Sequence, residues 1–175
     1  MQLRVKGDDH GAAILAAAPE FRRLCAAHAA LFIINDRADL VRQAGADGVH
    51  LGQEDMPVAR ARELVGEERL IGLSTHTPEQ IDAAGELGVD YIGVGPVYET
   101  PTKPGRPAVG LELVRYAAER AAVPFFAIGG IDASNVAAVR AAGASRVAVV
   151  RAITAAVDPL AAARQLVQGE RVGAP

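Results

Sequence analysis

The chain has 175 residues, 50% of them hydrophobic, with no Trp and with 18 Lys and Arg against 21 Asp and Glu for a formal charge of -3. That length suits one domain with a substantial core, and the acidic balance, without a basic run or aromatic-basic interleaving, excludes a general nucleic-acid surface. The single cysteine, Cys25, cannot close an internal disulfide, no apolar run approaches the ~20 residues of a membrane span, and no charged-then-apolar leader opens the chain, so a cytoplasmic protein with no membrane partner is expected.

Gln2-Leu3-Arg4-Val5-Lys6 alternates and predicts a strand near 2–5, with Leu3 and Val5 on one side and Gln2, Arg4 and Lys6 on the other. Inside a closed barrel, that polar side would point a glutamine and two cations inward. Gly7-Asp8-Asp9 starts an alanine-rich helix running towards His28, interrupted or restarted at Pro19, with Cys25 as filler. A phrase then occurs three times: apolar strand, polar turn, helix, Ala/Leu-Gly-small-Asp/Ser, apolar strand. Its copies run from Leu31-Phe32-Ile33-Ile34 to Gly48-Val49-His50-Leu51, from Leu70-Ile71-Gly72-Leu73 to Tyr91-Ile92-Gly93-Val94, and from Phe125-Phe126-Ala127-Ile128 to Val147-Ala148-Val149-Val150.

Helix signals support this division. Thr77-Pro78-Glu79-Gln80 reads as an N-cap, a first-turn proline and a capping-box glutamine, Asp158-Pro159 opens the last helix, and Asp132 is expected to cap the one before it. The glycine before each following strand suits a left-handed helix end. Seven strands are predicted, near 2–5, 31–34, 47–51, 69–73, 89–94, 123–128 and 146–150. Continuous apolar strands alternating with helices indicate a parallel sheet covered on both faces. An open doubly wound sheet fits the count. Polar residues after nearly every strand, and Gly129-Gly130 and Val150-Arg151 after the last two, favour a (β/α)8 TIM barrel lacking its first strand, as one domain over residues 1–175.

In a parallel barrel the C-terminal strand ends share one mouth. Residues expected there are Arg4 and Lys6, Asn35-Asp36, Gln53-Glu54-Asp55, Ser74, Thr100-Pro101-Thr102-Lys103, Gly129-Gly130 and Val150-Arg151. Asp36 and Asp55 could share one hard cation such as Mg²⁺, which takes one or two protein carboxylates together with phosphate oxygens and waters. The alternative is that Asp36 starts a helix and Asp55 caps one. The stretch Gly93 to Pro104 gathers hydroxyls and an ammonium on a proline-stiffened loop, which suits a phosphate or diphosphate; the alternative is an ordinary surface loop. His50 and His76 lie near strand ends and are given no role. No Ser/His/Asp series or Cys/His metal spacing is present, so nucleophilic hydrolysis and zinc chemistry are poor candidates.

Gln2-Leu3-Arg4-Val5-Lys6, Ile34-Asn35-Asp36-Arg37, Gly48 to Asp55, Ser74-Thr75-His76, Gly95-Pro96-Val97 with Thr100-Pro101-Thr102-Lys103, and Ala127-Ile128-Gly129-Gly130-Ile131 occur in that order. With them the chain resembles thiamine-phosphate synthase from its first residues to about Pro159. The resemblance implies a transferase of thiamine biosynthesis that joins hydroxymethylpyrimidine diphosphate to a thiazole phosphate by a dissociative, Mg²⁺-assisted route. Carried over by position, the Gln2-Leu3-Arg4-Val5-Lys6 strand and Asn35 would hold the pyrimidine diphosphate. Asp36 and Asp55 would bind Mg²⁺, and Arg4, Ser74 and Lys103 would act on the leaving diphosphate. Thr100, Pro101, Thr102, Gly130, Val150 and Arg151 would hold the thiazole phosphate.

Val5 departs from the family pattern, which usually has an acidic residue there. Two rival readings are a related thiazole tautomerase, disfavoured because Val147 to Ile153 contains no histidine, and an inactive phosphate-binding remnant. An unpaired strand edge is a pairing surface, so a homo-oligomer is among the expectations.

Overall fold

Apolar runs of four to six residues, too short for helices and too continuous for a half-wet sheet, become parallel strands in the computed structural model, which describes residues 1–5, 10–100, 105 and 107–168. All seven predicted strands form: β1 Gln2–Leu3, β2 Ile33–Asn35, β3 Gly48–Leu51, β4 Leu70–Thr75, β5 Tyr91–Val94, β6 Phe125–Ile128 and β7 Val147–Ala148. Between and after them run α1 His10–Ala27, α2 Val41–Ala44, α3 Val58–Val65, α4 Pro78–Ala84, α5 Gly110–Arg120, α6 Val136–Ala141, α7 Arg151–Thr154 and α8 Pro159–Gln168. The protein is therefore α/β with parallel strands. No helix among the described residues is long and apolar enough to cross a membrane.

The chain divides into two compact units, Met1–Ser74 with Ala84–Tyr91, and Thr75–Ala83 with Ile92–Pro175. In the first unit β1, β2, β3 and β4 pair in chain order, Asn35 opposite His50 and His50 opposite Gly72. Its core is Ile14, Phe32, Ile34, Val41, Val49, Leu51, Val65 and Ile71, all fully buried, each worth about 1.5–3 kcal/mol of transfer from water. Phe21 packs on Phe32 with ring centres 5.6 Å apart. Leu3 is buried while Gln2 and Arg4 are exposed, as the alternation predicts. Pro19 does not interrupt α1: its exposed ring costs the helix one backbone hydrogen bond, and the turns on either side continue.

The repeated Gly-small-Asp corner has a physical purpose here. The Asp47 carboxylate accepts the Phe32 N–H at 2.7 Å, while the Asp47 N–H donates to the Phe32 carbonyl at 2.8 Å. Asp90 repeats the arrangement on Ile71 at the same two distances, and also pairs with Arg62 at 2.9 Å. Arg62 in turn donates to the carbonyls of Gly66, Arg69 and Gly88, tying the α3–β4 and α4–β5 connections together. Asp90→Ala leaves the Ile71 amide and the largely buried Arg62 without that acceptor, and a loss of about 1–3 kcal/mol is expected in urea unfolding. Asp90→Asn, which keeps an acceptor, should lose less; equal midpoints for Asp90→Ala and the parent would contradict the assignment.

In the second unit β5, β6 and β7 pair in chain order, Val94 opposite Ala127 and Ala127 opposite Val147. Val97, Val114, Ala127, Ile131, Val139 and Leu166 belong to its core. Thr77 Oγ1 accepts the Gln80 N–H at 3.3 Å, and the Gln80 side chain reaches back to the His76 N–H at 2.7 Å, one residue further than a capping box requires. Asp158 accepts the Ala161 N–H at 2.9 Å, as its capping role predicts. Asp132, however, does not cap α6. Its carboxylate takes the Ser134 N–H and Oγ–H at 2.8 and 2.5 Å, Asn135 closes the turn by accepting the Asp132 N–H at 3.0 Å, and the helix begins only at Val136.

Candidate active site

The site residues of the first unit sit where β2, β3 and β4 end. Asn35 is the last, half-buried residue of β2, and Asp36 follows with φ 65°, a left-handed backbone that aspartate tolerates better than most residues. The Asp36 N–H donates to the His50 carbonyl of β3 at 2.8 Å and its carbonyl accepts from Ala38 at 3.1 Å. Asp36 is exposed at the end of the strand, and the short helical turn that follows has Arg37 at its cap position with no side-chain cap bond.

β3 runs into the turn Gly52-Gln53-Glu54-Asp55. Asp55 accepts the Gly52 N–H at 2.7 Å through Oδ2, and α3 starts at Val58 without a side-chain cap, so the capping alternative for Asp55 does not hold. Two exposed carboxylates after neighbouring, hydrogen-bonded strands offer hard oxygen donors that suit Mg²⁺. No group of three or more His, Cys, Asp and Glu gathers among the described residues, and Mg²⁺ commonly completes a shell of one or two carboxylates with phosphate oxygens and water.

Ser74, half-buried near the end of β4, is held from two sides. Its carbonyl accepts Gln53 Nε2 at 2.6 Å, and its Oγ lies 3.0 Å from His50 Nε2. The other nitrogen of His50, Nδ1, is 3.1 Å from the Tyr91 hydroxyl, with the two rings 5.4 Å apart. Burial, helped by the neighbouring Asp90 charge, pushes the Tyr91 phenol well above its ordinary range, so it stays protonated. The cluster exists because residue 72 is glycine: a Cβ there would lie 2.1 Å from Tyr91 Cζ and 2.6 Å from His50 Nδ1. Gly72→Ala should displace both rings, with a loss of about 1–3 kcal/mol and a changed near-UV tyrosine signal. Unaltered thermal unfolding and near-UV spectra would show that the slot is not needed.

The second unit builds a different surface. Gly129 and Gly130 follow β6 with φ 102° and 64°. The segment from Pro96 to Glu99 lies directly on them: Val97 N–H donates to the Ile128 carbonyl at 2.9 Å, and Tyr98 N–H to the Gly129 carbonyl at 3.0 Å. A Cβ would meet Pro96 Cα at 2.5 Å from Gly129 and Tyr98 Cβ at 2.6 Å from Gly130, so the double glycine is set by this close passage as well as by its backbone angles. His76 contacts the Gly95 carbonyl through Nδ1, and buried Thr75 donates to the Gly93 carbonyl at 3.2 Å, so both steady the same segment. Asn135 donates to the Gly130 carbonyl at 2.8 Å.

Thr100 is half-buried at the far end of this segment. Val150 and Arg151 are exposed at the start of α7. Lys6, Pro101, Thr102 and Lys103 lie outside the described residues. A cavity of about 300 Å³ in this unit, lined by Asp132, Ser134, Ala152 and Leu166 among others, contains none of the expected site residues.

Four residues that matter to this geometry carry no role in the sequence reading: His50, Gln53, Tyr91 and Gly72. The available signal was Gly72 itself, a glycine inside an apolar strand, which marks a close approach by something bulky.

Residues 1–153 match the model of the family described as thiamine monophosphate synthase. The chain is 60% identical to the thiamine-phosphate synthase of Nostoc punctiforme, over 81% of this chain and 40% of that protein. It is 53% identical to the thiamine-phosphate synthase of Arthrobacter sp., over 84% of this chain and 72% of that one. Among solved structures it is similar to thiamine phosphate pyrophosphorylase from Pyrococcus furiosus, with a TM-score of 0.88 and 33% identity over 97% of this chain and 81% of that chain. The chain spans half or less of the length of several curated relatives it matches, such as those from Nostoc punctiforme and Gloeobacter violaceus, at 40% and 46%.

Proposed function

The chain belongs to the thiamine monophosphate synthase family, and from that premise we propose that it joins hydroxymethylpyrimidine diphosphate to a thiazole phosphate, forming thiamine phosphate and diphosphate. The observation that carries this reading is the placement of Asn35-Asp36, Gln53 to Asp55 and Ser74 at the C-terminal ends of three successive parallel strands, β2, β3 and β4. We read the fold as the family's (β/α)8 barrel, one domain, of which seven strands lie among the described residues. Phosphate-ester substrates agree with a cytoplasmic location.

In this proposal Gln2, Arg4, Lys6 and Asn35 bind the pyrimidine diphosphate, with Leu3 and Val5 shaping the strand that presents them. Asp36 and Asp55 would hold Mg²⁺, which when bound offsets the charge of the diphosphate. Arg4, Lys103 and the Ser74 hydroxyl direct positive charge and a donor proton at the leaving group. As the carbon–oxygen bond breaks, both electrons go to the diphosphate, and these donors gain most from the charge that develops there. The pyrimidine-methyl cation left behind is captured by the lone pair of the thiazole nitrogen. No proton is removed in that step, which accords with the lack of a general base among the residues assigned to the site. Thr100, Pro101, Thr102, Gly130, Val150 and Arg151 hold the thiazole phosphate; among the described ones, Thr100 follows the segment that His76 contacts at Gly95, and Gly130 packs against that segment.

Incubating the purified chain with both substrates and Mg²⁺, and quantifying products by mass spectrometry, tests the proposal. Thiamine phosphate and diphosphate in equal amounts are expected, with the yield abolished by a chelator. Binding of a phosphate ligand without product would favour a non-catalytic phosphate-binding protein.

A further inference from the structure

Ser74 can help an anionic leaving group only if its hydroxyl proton points at that anion. Its Oγ carries one proton and two lone pairs, and His50 Nε2 lies 3.0 Å away. If Nε2 were the bare nitrogen of a neutral imidazole, the serine would spend its proton there and turn lone pairs towards the diphosphate. If Nε2 carries hydrogen, it donates to Oγ and leaves the serine proton for the ligand. The choice between these states is made on the opposite side of the ring, where the Tyr91 hydroxyl sits 3.1 Å from Nδ1. The Tyr91 hydroxyl has one proton to give, and when it gives it to Nδ1 that nitrogen is bare and the ring hydrogen sits on Nε2. Gly72 leaves the slot that brings the two rings together, and Gln53 fixes the serine backbone at its carbonyl.

We propose that His50 is a positioning residue: its Nε2–H, selected by the Tyr91 hydroxyl at Nδ1, donates to Ser74 Oγ and turns the serine proton outward as an anion donor. The direction runs from Tyr91 O–H to Nδ1, from Nε2–H to Oγ, and from Oγ–H to a phosphate oxygen. No bond is made or broken in this relay, and no net proton moves. It rests on the role given to Ser74 above, and it adds that the donor direction is set before substrate arrives.

Long-range proton–nitrogen NMR of the whole chain reports which ring nitrogen of each of its 4 histidines bears hydrogen, with His50 assigned by its loss in His50→Asn. The expected signal is the Nε2–H form; an Nδ1–H form overturns the inference whatever the chain catalyses. Kinetics add a second readout. His50→Gln can place an amide N–H near the Nε2 position, whereas the shorter asparagine cannot reach it. The expected kcat is within about threefold of the parent for His50→Gln and about tenfold lower for His50→Asn, with the KM for thiazole phosphate unchanged in both. Equal losses in the two variants, or losses that simply follow thermal stability, would overturn the positioning role. An Nε2–H signal in a chain that forms no thiamine phosphate would contradict the reaction proposed above while still supporting the hydrogen-bond direction.

Discussion

Lys103→Ala is expected to lower kcat by well over tenfold while the KM for thiazole phosphate stays within about twofold, because removing a charge-assisted hydrogen bond to a leaving group costs more than ~1.4 kcal/mol. The sign of that split follows from when the interaction matters. Diphosphate is already anionic when bound, but the bridging oxygen gains most of its charge as the carbon–oxygen bond lengthens. An ammonium aimed at it therefore stabilises the transition state more than the bound substrate. Single-turnover measurements separate the chemical step from product release and report the effect directly. A variant with normal kcat and a raised KM for thiazole phosphate would move Lys103 to the other substrate.

Asp55→Asn is expected to raise the Mg²⁺ concentration needed for half-maximal activity by more than about tenfold, since one of the two carboxylates proposed for the ion is removed. The structure makes this a clean substitution. Asp55 Oδ2 closes its own turn by accepting the Gly52 N–H at 2.7 Å, and an asparagine oxygen can accept the same bond. The turn should persist while the charge disappears, so thermal stability should change little. Magnesium titrations of both proteins, at saturating substrates, check the claim. An unchanged metal dependence would remove Asp55 from the pair and leave the hard-cation reading without support.

Much of the architecture was legible because parallel strands buried on both faces demand continuous apolar runs, and such runs stand out between polar turns. Leu31 to Ile34, Ile71 to Leu73 and Phe125 to Ile128 each mark a strand for that reason. Boundaries were less accessible. β1 is limited to Gln2–Leu3, and α6 starts three residues later than an Asp132 cap would place it, because Ser134 and Asn135 compete for the same hydrogen bonds.

At the candidate site, residue types at strand ends were legible, since Asn35, Asp36, Asp55 and Ser74 interrupt apolar patterns just where strands finish. Their local geometry was not. The left-handed backbone of Asp36 and the return of Asp55 onto Gly52 depend on turn details that composition does not encode. The His50–Tyr91 pair was hidden for a different reason. Tyr91 follows His50 by 41 residues, and nothing short of the strand register shows that a missing side chain at Gly72 lets them meet.

The central claim is that the strand-end residues of the first unit, helped by Lys103, take the metal–diphosphate, while Gly130, Val150 and Arg151 of the second take the thiazole phosphate. Backbone amide NMR of the full chain, titrated separately with magnesium diphosphate and with inorganic phosphate, tests it most directly. The account predicts that magnesium diphosphate shifts the amides of 35–36, 52–55 and 74, and that inorganic phosphate shifts those of 129–130 and 150–151. If both anions perturbed one common set, or if diphosphate left 36, 55 and 74 unmoved with Mg²⁺ present, the division of labour would be contradicted.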